Sequence, residues 1–124
     1  MRAEWRTLCA ADDMRIRGKW ITVRFANERS HGVQVLDEGD SYLLTAVVAD
    51  ADDLDPEQDA ARAAWRRNRH SSLVGFRIDE EGRLVAQAWT PKDGLTPEAF
   101  HTLVRAVARE ADRYEFQLTG SDDR

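Results

Sequence analysis

The first third of the chain alternates between apolar and polar residues in a way that predicts β-strands. Residues 19–25 have a period of two, as expected of a strand with one buried face. Two further runs, Val33–Leu36 and Tyr42–Val48, follow after short turns, the first of which covers Asn27–Gly32 and includes His31. Parallel pairing would need crossovers of a dozen or more residues. The three runs therefore predict an antiparallel meander.

Two segments of the first half of the chain predict helices. In residues 2–12, apolar residues recur every three or four positions and so share one side of a short helix. The second helix begins after an acidic stretch, with Asp55 as N-cap, Pro56 at the first helical position and Gln58 completing a capping box. We expect this helix to run to about Arg69.

The second half of the chain predicts a hairpin and a closing helix. Leu73–Ile78 and Arg83–Trp89 are joined by a turn that ends in Gly82, a residue that can take the left-handed conformation such a turn requires. Thr96–Pro97 then provides a helix start. An apolar stripe at helical spacing follows, and we expect a short extended segment at Tyr114–Leu118.

These elements predict one α+β domain over residues 1–124, with the order α-β-β-β-α-β-β-α. Its three helices are expected on one side of a five-stranded antiparallel sheet, in two layers. A chain of 124 residues has the usual size of a single domain. Apolar residues make up 42% and charged residues 33%, which favours a folded chain over a disordered one.

Composition and charge argue against several functional classes. No apolar run approaches the roughly 20 residues of a membrane helix, and the charged N-terminus does not have the pattern of a secretory signal, so we expect a cytoplasmic protein. Cys9 is the only cysteine, which excludes an internal disulfide and favours a small buried residue. A net charge of −5 argues against binding of nucleic acid or anionic lipid.

Residues that could carry chemistry do not form a recognisable motif. The three histidines, His31, His70 and His101, have no neighbours at ligand spacing. The acidic stretch Asp50–Asp59 lacks the glycine turn and closing glutamate of a calcium loop. We therefore expect no catalytic residue, no metal ligand and no cofactor.

Two alternatives remain open from the residues alone. His70, Ser71 and Ser72 could supply a base and a nucleophile, which would make this loop the site of a catalytic or small-ligand domain. The four arginines of the second predicted helix could instead follow a phosphate backbone as a weak nucleic-acid site; they are Arg62, Arg66, Arg67 and Arg69.

A third interpretation rests on apolar strand residues that are not expected to face the helices and so to join the core. The strand at Tyr42–Val48 is apolar on both faces, so Leu43 and Val47 face away from the predicted helices. Trp20 and Trp89 are out of phase with the inward residues of their strands. Exposed aromatic residues on one patch often mark a protein contact; the alternative is that these tryptophans close the ends of the core. Trp65, in the second helix, is a further candidate contact residue.

Four segments resemble the YbjN-type sensory-transduction family and the related type III secretion chaperones. They are Ala64–Arg69, the hairpin Val74–Leu84, Leu95–Glu98 and Ala111–Glu115, and the resemblance covers about residues 40 to 118. It implies the element order given above, homodimers, no catalytic residue, and binding of an extended partner segment along apolar grooves. Our leading hypothesis is accordingly a non-enzymatic, chaperone-like, protein-binding module.

Overall fold

The computed structural model describes residues 4–55, 59–69 and 73–119, which form six strands, three helices and one short 3₁₀ turn. The strands are β1 (Met14–Arg17), β2 (Trp20–Arg24), β3 (Ser30–Asp37), β4 (Ser41–Ala49), β5 (Gly75–Ile78) and β6 (Leu84–Pro91). The helices are α1 (Trp5–Leu8), α2 (Ala60–Asn68) and α3 (Pro97–Thr119), and the 3₁₀ turn is Ala51–Asp53.

All strands belong to one antiparallel sheet in the order β1-β2-β3-β4-β6-β5. The predicted meander and hairpin are confirmed. The predicted count of five strands and the order α-β-β-β-α-β-β-α were wrong, because β1 adds a sixth strand at the edge, between α1 and β2. Gly18 makes this strand possible: its φ of +62° suits the first central position of a two-residue hairpin turn, and Arg17 then pairs with Trp20.

The helices differ from the predictions at their ends. Helix α1 is a single turn, shorter than the predicted 2–12. The Asp59 side chain caps α2, accepting from the Arg62 N–H at 3.0 Å, so the prediction of Asp55 as N-cap was wrong; Pro56 and Gln58 lie outside the described residues. Helix α3 continues through Tyr114–Leu118, where we expected extended chain.

All three helices pack on one side of the sheet, which we call the covered face. Helix α3 lies across β2, β3, β4 and β6. Helix α1 joins the same layer, and its Trp5 N–H donates to the Tyr42 hydroxyl at 3.1 Å. The strand side chains beneath the helices form the core: Ile21, Val23, Val33, Val35, Leu44, Ala46, Leu84, Ala86 and Ala88 are all buried. The two-layer architecture is therefore confirmed.

Asn68 ties the end of α2 to the outer strand of the sheet. Its amide Nδ2 donates to the Phe76 carbonyl at 2.8 Å, and its Oδ1 accepts from the Phe76 N–H at 2.6 Å. The side chain thus pairs with β5 as a neighbouring strand would. It satisfies two backbone groups at an edge that would otherwise have no ladder partner.

Within residues 4–55, 59–69 and 73–119, no helix combines the length and the apolar character needed to cross a membrane.

Candidate protein-binding surface

The side of the sheet opposite the helices, which we call the open face, carries a row of apolar side chains. Cross-strand partners point to the same face of a sheet. Trp89 on β6 pairs with Leu43 on β4, and Leu43 pairs with Leu36 on β3. Trp89 is 60% exposed, and both leucines are half-buried. The row therefore presents apolar surface to solvent across three strands.

A groove of about 270 Å³ lies beside Trp89 on the open face. Leu43, Arg77 and Gln87 contribute to its lining, together with Gly75. Nothing lies within 4 Å of the position that a Cβ atom would take on Gly75, so the groove stays open on that side. An apolar side chain from another molecule could enter it and pack against the indole ring, as anchor residues do at protein interfaces.

A row of polar side chains separates Trp89 from Trp20. Gln87 pairs with Thr45, Thr45 with Gln34, and Gln34 with Trp20. The Gln87 amide donates to the Thr45 hydroxyl at 3.2 Å and accepts from Arg77 Nε at 2.8 Å. The open face is thus an apolar strip next to a strip of hydrogen-bonding groups.

The Trp20 ring packs over Gly32 of β3. Its Cε3 atom is 3.4 Å from the position that a Cβ would take on Gly32, which is contact distance for a packed ring. The indole remains 41% exposed. Trp20, Gly32 and Val47 line a second, smaller hollow of about 160 Å³, together with His31 and Asp50.

The five predicted contact residues therefore fall on two surfaces. Trp20, Leu43, Val47 and Trp89 lie on the open face, as their phase predicted, and Leu36 is a member that we missed. Trp65 lies elsewhere, on α2, where it is 60% exposed with the Arg69 guanidinium 5.5 Å from its ring centre. We call the exposed side of α2 around Trp65 the α2 surface. That either surface binds a partner remains a prediction.

The structure describes only one of the two alternative sites, the arginines of α2. Residues 70–72, with the suggested base and nucleophile, lie outside the described residues. In α2, the Arg67 guanidinium packs 4.2 Å from the Tyr114 ring centre and donates to Gln117 at 2.9 Å. Since Arg69 lies over Trp65, two of the four arginines already make contacts within the chain.

The surroundings of Cys9 disfavour its thiolate form. Cys9 is 5% exposed, which confirms the prediction of a buried residue. Burial first, and then the neighbouring Asp13 carboxylate, raise the pKa of its thiol to about 11. The thiol is therefore protonated at neutral pH and is a poor nucleophile.

One cluster of ionisable side chains was missed. We expected His31 in a turn with no partner at ligand spacing, and this was wrong: His31 is a fully buried residue of β3, and its Nδ1 lies 3.9 Å from carboxylate oxygens of Asp112 and Glu115. The extended segment that we expected from Tyr114 onward placed Glu115 outside the helix. Continuing the apolar stripe of α3 past Ala111 would have placed both acids on the buried side of the helix.

Comparison with solved structures places the fold in a defined class. The chain is similar to proteins in the "Crystal Structure of the ExsC-ExsE Complex" (24% identity, 78% of this chain and 74% of that chain covered, TM-score 0.57). It is also similar to the "heterodimeric complex ExoU-SpcU from the type III secretion system (T3SS) of Pseudomonas aeruginosa" (15%, 85% and 87%, TM-score 0.56). A third match is the "HopA1-SchA Chaperone-Effector Complex" (13%, 94% and 87%, TM-score 0.50). The fold is therefore similar to that of proteins found in a type III secretion complex and in a chaperone–effector complex.

The family follows from the sequence. Residues 1–119 match the YbjN family, described as "Putative bacterial sensory transduction regulator", and the chain belongs to this family. The predicted resemblance is thereby confirmed and extends over more of the chain than residues 40 to 118. A comparison with curated proteins gives no match.

Proposed function

We propose that this protein is a non-enzymatic, chaperone-like module of the cytoplasm that binds an extended segment of a partner polypeptide on its open face. The observation that carries the proposal is the row Trp89–Leu43–Leu36, with a groove beside an indole that none of the helices α1 to α3 covers. Membership of the YbjN family and the chaperone-like fold support it, since the similar solved structures contain such proteins with protein partners.

The partner segment lies across the open face rather than adding a strand to the sheet. Strand addition needs a free row of backbone groups along an edge strand. Both edges of this sheet, β1 and β5, are only four residues long, and Asn68 already occupies β5 at Phe76. Side-chain contacts on the face are therefore the better means of recognition.

The side chains of the open face indicate what kind of partner segment would bind there. A large apolar side chain fills the Trp89 groove, and the amides of Gln87 and Gln34 offer hydrogen bonds to the backbone of an extended chain. Arg17, which pairs with Trp20, and Arg77, at the groove, add positive charge to this face of a net acidic protein. The expected ligand is an extended segment with a bulky apolar anchor and acidic neighbours.

A second copy of the chain uses the α2 surface. Trp65 lies on α2, away from the open face, so dimerisation through it leaves the partner site accessible. A two-fold dimer brings the same patch of both copies together, and an exposed tryptophan at its centre is a typical anchor. The proposed assembly is thus a homodimer with two partner sites.

Two tryptophans with equal exposure, 60% each, provide a matched experiment. Light scattering at tens of micromolar should give twice the 14.1 kDa chain mass for the wild type and for Trp89→Ala, and the chain mass for Trp65→Ala. In affinity purification from the native host, Trp89→Ala should lose the co-purifying polypeptide, whereas Trp65→Ala should retain it. A monomeric wild type contradicts the dimer, and a partner retained by Trp89→Ala contradicts the open-face site.

A further inference from the structure

Three ionisable side chains meet beneath α3, on the covered face of the sheet. His31 comes from β3; Asp112 and Glu115 are three residues apart on α3 and so project from the same side of the helix. His31 and Glu115 are 0% exposed and Asp112 is 6% exposed. One ligand atom from each lies within 4.8 Å of the other two. We call these residues the buried triad.

The tautomer of His31 is fixed by the backbone of β4. Its Nε2 is 2.8 Å from the Val47 carbonyl oxygen. A carbonyl can only accept, so Nε2 carries a proton. The other nitrogen, Nδ1, is buried without a hydrogen-bond partner, and it faces the carboxylates of Asp112 and Glu115 at 3.9 Å. In the neutral ring, Nδ1 therefore directs a lone pair toward two acidic groups.

Asp112 is held so that one of its oxygens faces His31. Arg29 donates to Oδ2 at 2.5 Å, while the buried Oδ1 has no hydrogen-bond partner and lies toward Nδ1. Both ligand groups thus have the outer hydrogen bond that orients metal ligands in proteins: Nε2–H to a carbonyl for the histidine, and a guanidinium for the aspartate.

We propose that the buried triad binds a divalent transition-metal ion, of which zinc fits its nitrogen and oxygen donors best. Two of the three ligand atoms, His31 Nδ1 and Asp112 Oδ1, are buried, face each other at 3.9 Å and have no hydrogen-bond partner. This distance exceeds the roughly 2.7–3.2 Å of a hydrogen bond, and a cation placed between the two atoms would satisfy both. An ion with ligand distances of roughly 2.0–2.2 Å fits between the three atoms after small side-chain movements.

The buried triad can be reached from solvent, and an ion bound there would affect the stability of the fold. Arg29 and Asp112 also line a cavity of about 480 Å³ between the β2–β3 turn and the end of α3, through which an ion can enter. Bound metal would join β3 to the last turns of α3 and so stabilise the folded chain. This inference goes beyond partner binding and does not depend on it, because the open face lies on the other side of the sheet.

Zinc alone is the probe for the test. Protein stripped with EDTA and dialysed is titrated with zinc chloride by calorimetry, and we expect one ion per chain and a rise in melting temperature. Asp112→Asn and Glu115→Gln preserve side-chain volume and should each weaken binding at least about tenfold. His101→Gln, at another histidine of α3, and the pair Asp52→Asn and Asp53→Asn, in the exposed acidic turn, should bind zinc as the wild type does.

Three results overturn the proposal: no saturable zinc binding by the wild type, binding unchanged in Glu115→Gln and Asp112→Asn, or binding lost in the acidic-turn variant. Circular dichroism without metal shows whether each variant folds. Should the buried variants not fold, cobalt absorption and manganese-induced broadening of the His31 ring resonances locate the ion in the wild type. Broadening centred on another residue overturns the site. Trp89→Ala should still bind zinc, so failure of the partner site is distinguishable.

Discussion

Leu43 and Leu44 are neighbours in β4 and show how differently the two faces of one sheet are used. Leu44 is fully buried beneath the helices, whereas Leu43 is half-buried in the apolar row of the open face. The backbone, the strand and the residue type are the same. The two leucines differ only in the side of the sheet to which they point. Leu44 therefore stabilises the fold, whereas Leu43 is available for contact with another molecule.

The contrast extends to polar groups. The covered face contains the buried triad, whose charges need compensation because water is excluded. The open face carries the polar row of Gln87, Thr45 and Gln34, in which the half-buried amides of Gln87 and Gln34 can exchange partners with a ligand at little cost. An uncovered face of a sheet can therefore combine apolar and polar groups freely, while a covered face requires every polar group to be matched.

The largest expected effect is a difference in stability between alanine variants of Leu44 and Leu43. Leu44→Ala should lower the free energy of unfolding by about 2–5 kcal/mol, because it leaves a cavity in a packed core. Leu43→Ala removes the same atoms from a half-exposed position and should cost under about 1 kcal/mol. Urea denaturation of the two variants measures both values. Equal losses would mean that the open face is also enclosed, which would contradict its role as a binding surface.

A smaller effect is expected at Asn68, which joins the helical layer to the edge of the sheet. Asn68→Ala leaves the N–H and carbonyl of Phe76 without their side-chain partners, and should lower the free energy of unfolding by about 1–3 kcal/mol. Asn68→Asp is the matched control: its carboxylate can still accept from the Phe76 N–H but cannot donate to the carbonyl. Because its second oxygen faces the carbonyl to which the amide donated, Asn68→Asp should be at least as unstable as Asn68→Ala in urea denaturation; a stability equal to that of the wild type would contradict the two-bond account.

The smallest effect is expected at the rim of the covered face, where Arg105 of α3 binds Asp13 with bonds of 2.8 and 2.9 Å. The hydrogen bonds from Arg105 hold the pKa of Asp13 below its usual range. An aspartate with a depressed pKa in the folded state stabilises the fold above its unfolded pKa, and this contribution disappears as the pH falls through the folded value. Both side chains are more than a third exposed, so the contribution should be below about 1 kcal/mol.

Thermal unfolding of the wild type and of Asp13→Asn at several pH values tests whether ionised Asp13 stabilises the fold. The wild type should be slightly more stable at pH 7, and the difference should shrink below about pH 4 as the carboxylate is protonated. Added salt should reduce it as well. A difference that grows in acid would contradict the proposed ion pair.

Much of the fold follows from short-range patterns in the sequence. The alternation in residues 19–25 and the Gly82 turn identified the meander and the hairpin. The same phase argument placed Trp20 and Trp89 away from the helices. Residues 14–17 alternate equally well, but a four-residue strand becomes recognisable only through the Gly18 turn that pairs it with β2. The N-cap of α2 was misplaced because several acids precede the helix and each of them fits the pattern.

The sequence by itself determined the class of the domain, its family and the direction in which most strand residues face, because these depend on periods of two and 3.6 residues along the chain. Only the tertiary structure decided which residues distant in sequence meet. His31 encounters Asp112 and Glu115 because α3 lies across β3, and Leu43 encounters Trp89 because β4 pairs with β6. Contacts of this kind depend on how the elements pack and on the register between strands. A pattern within one segment of the sequence does not predict either.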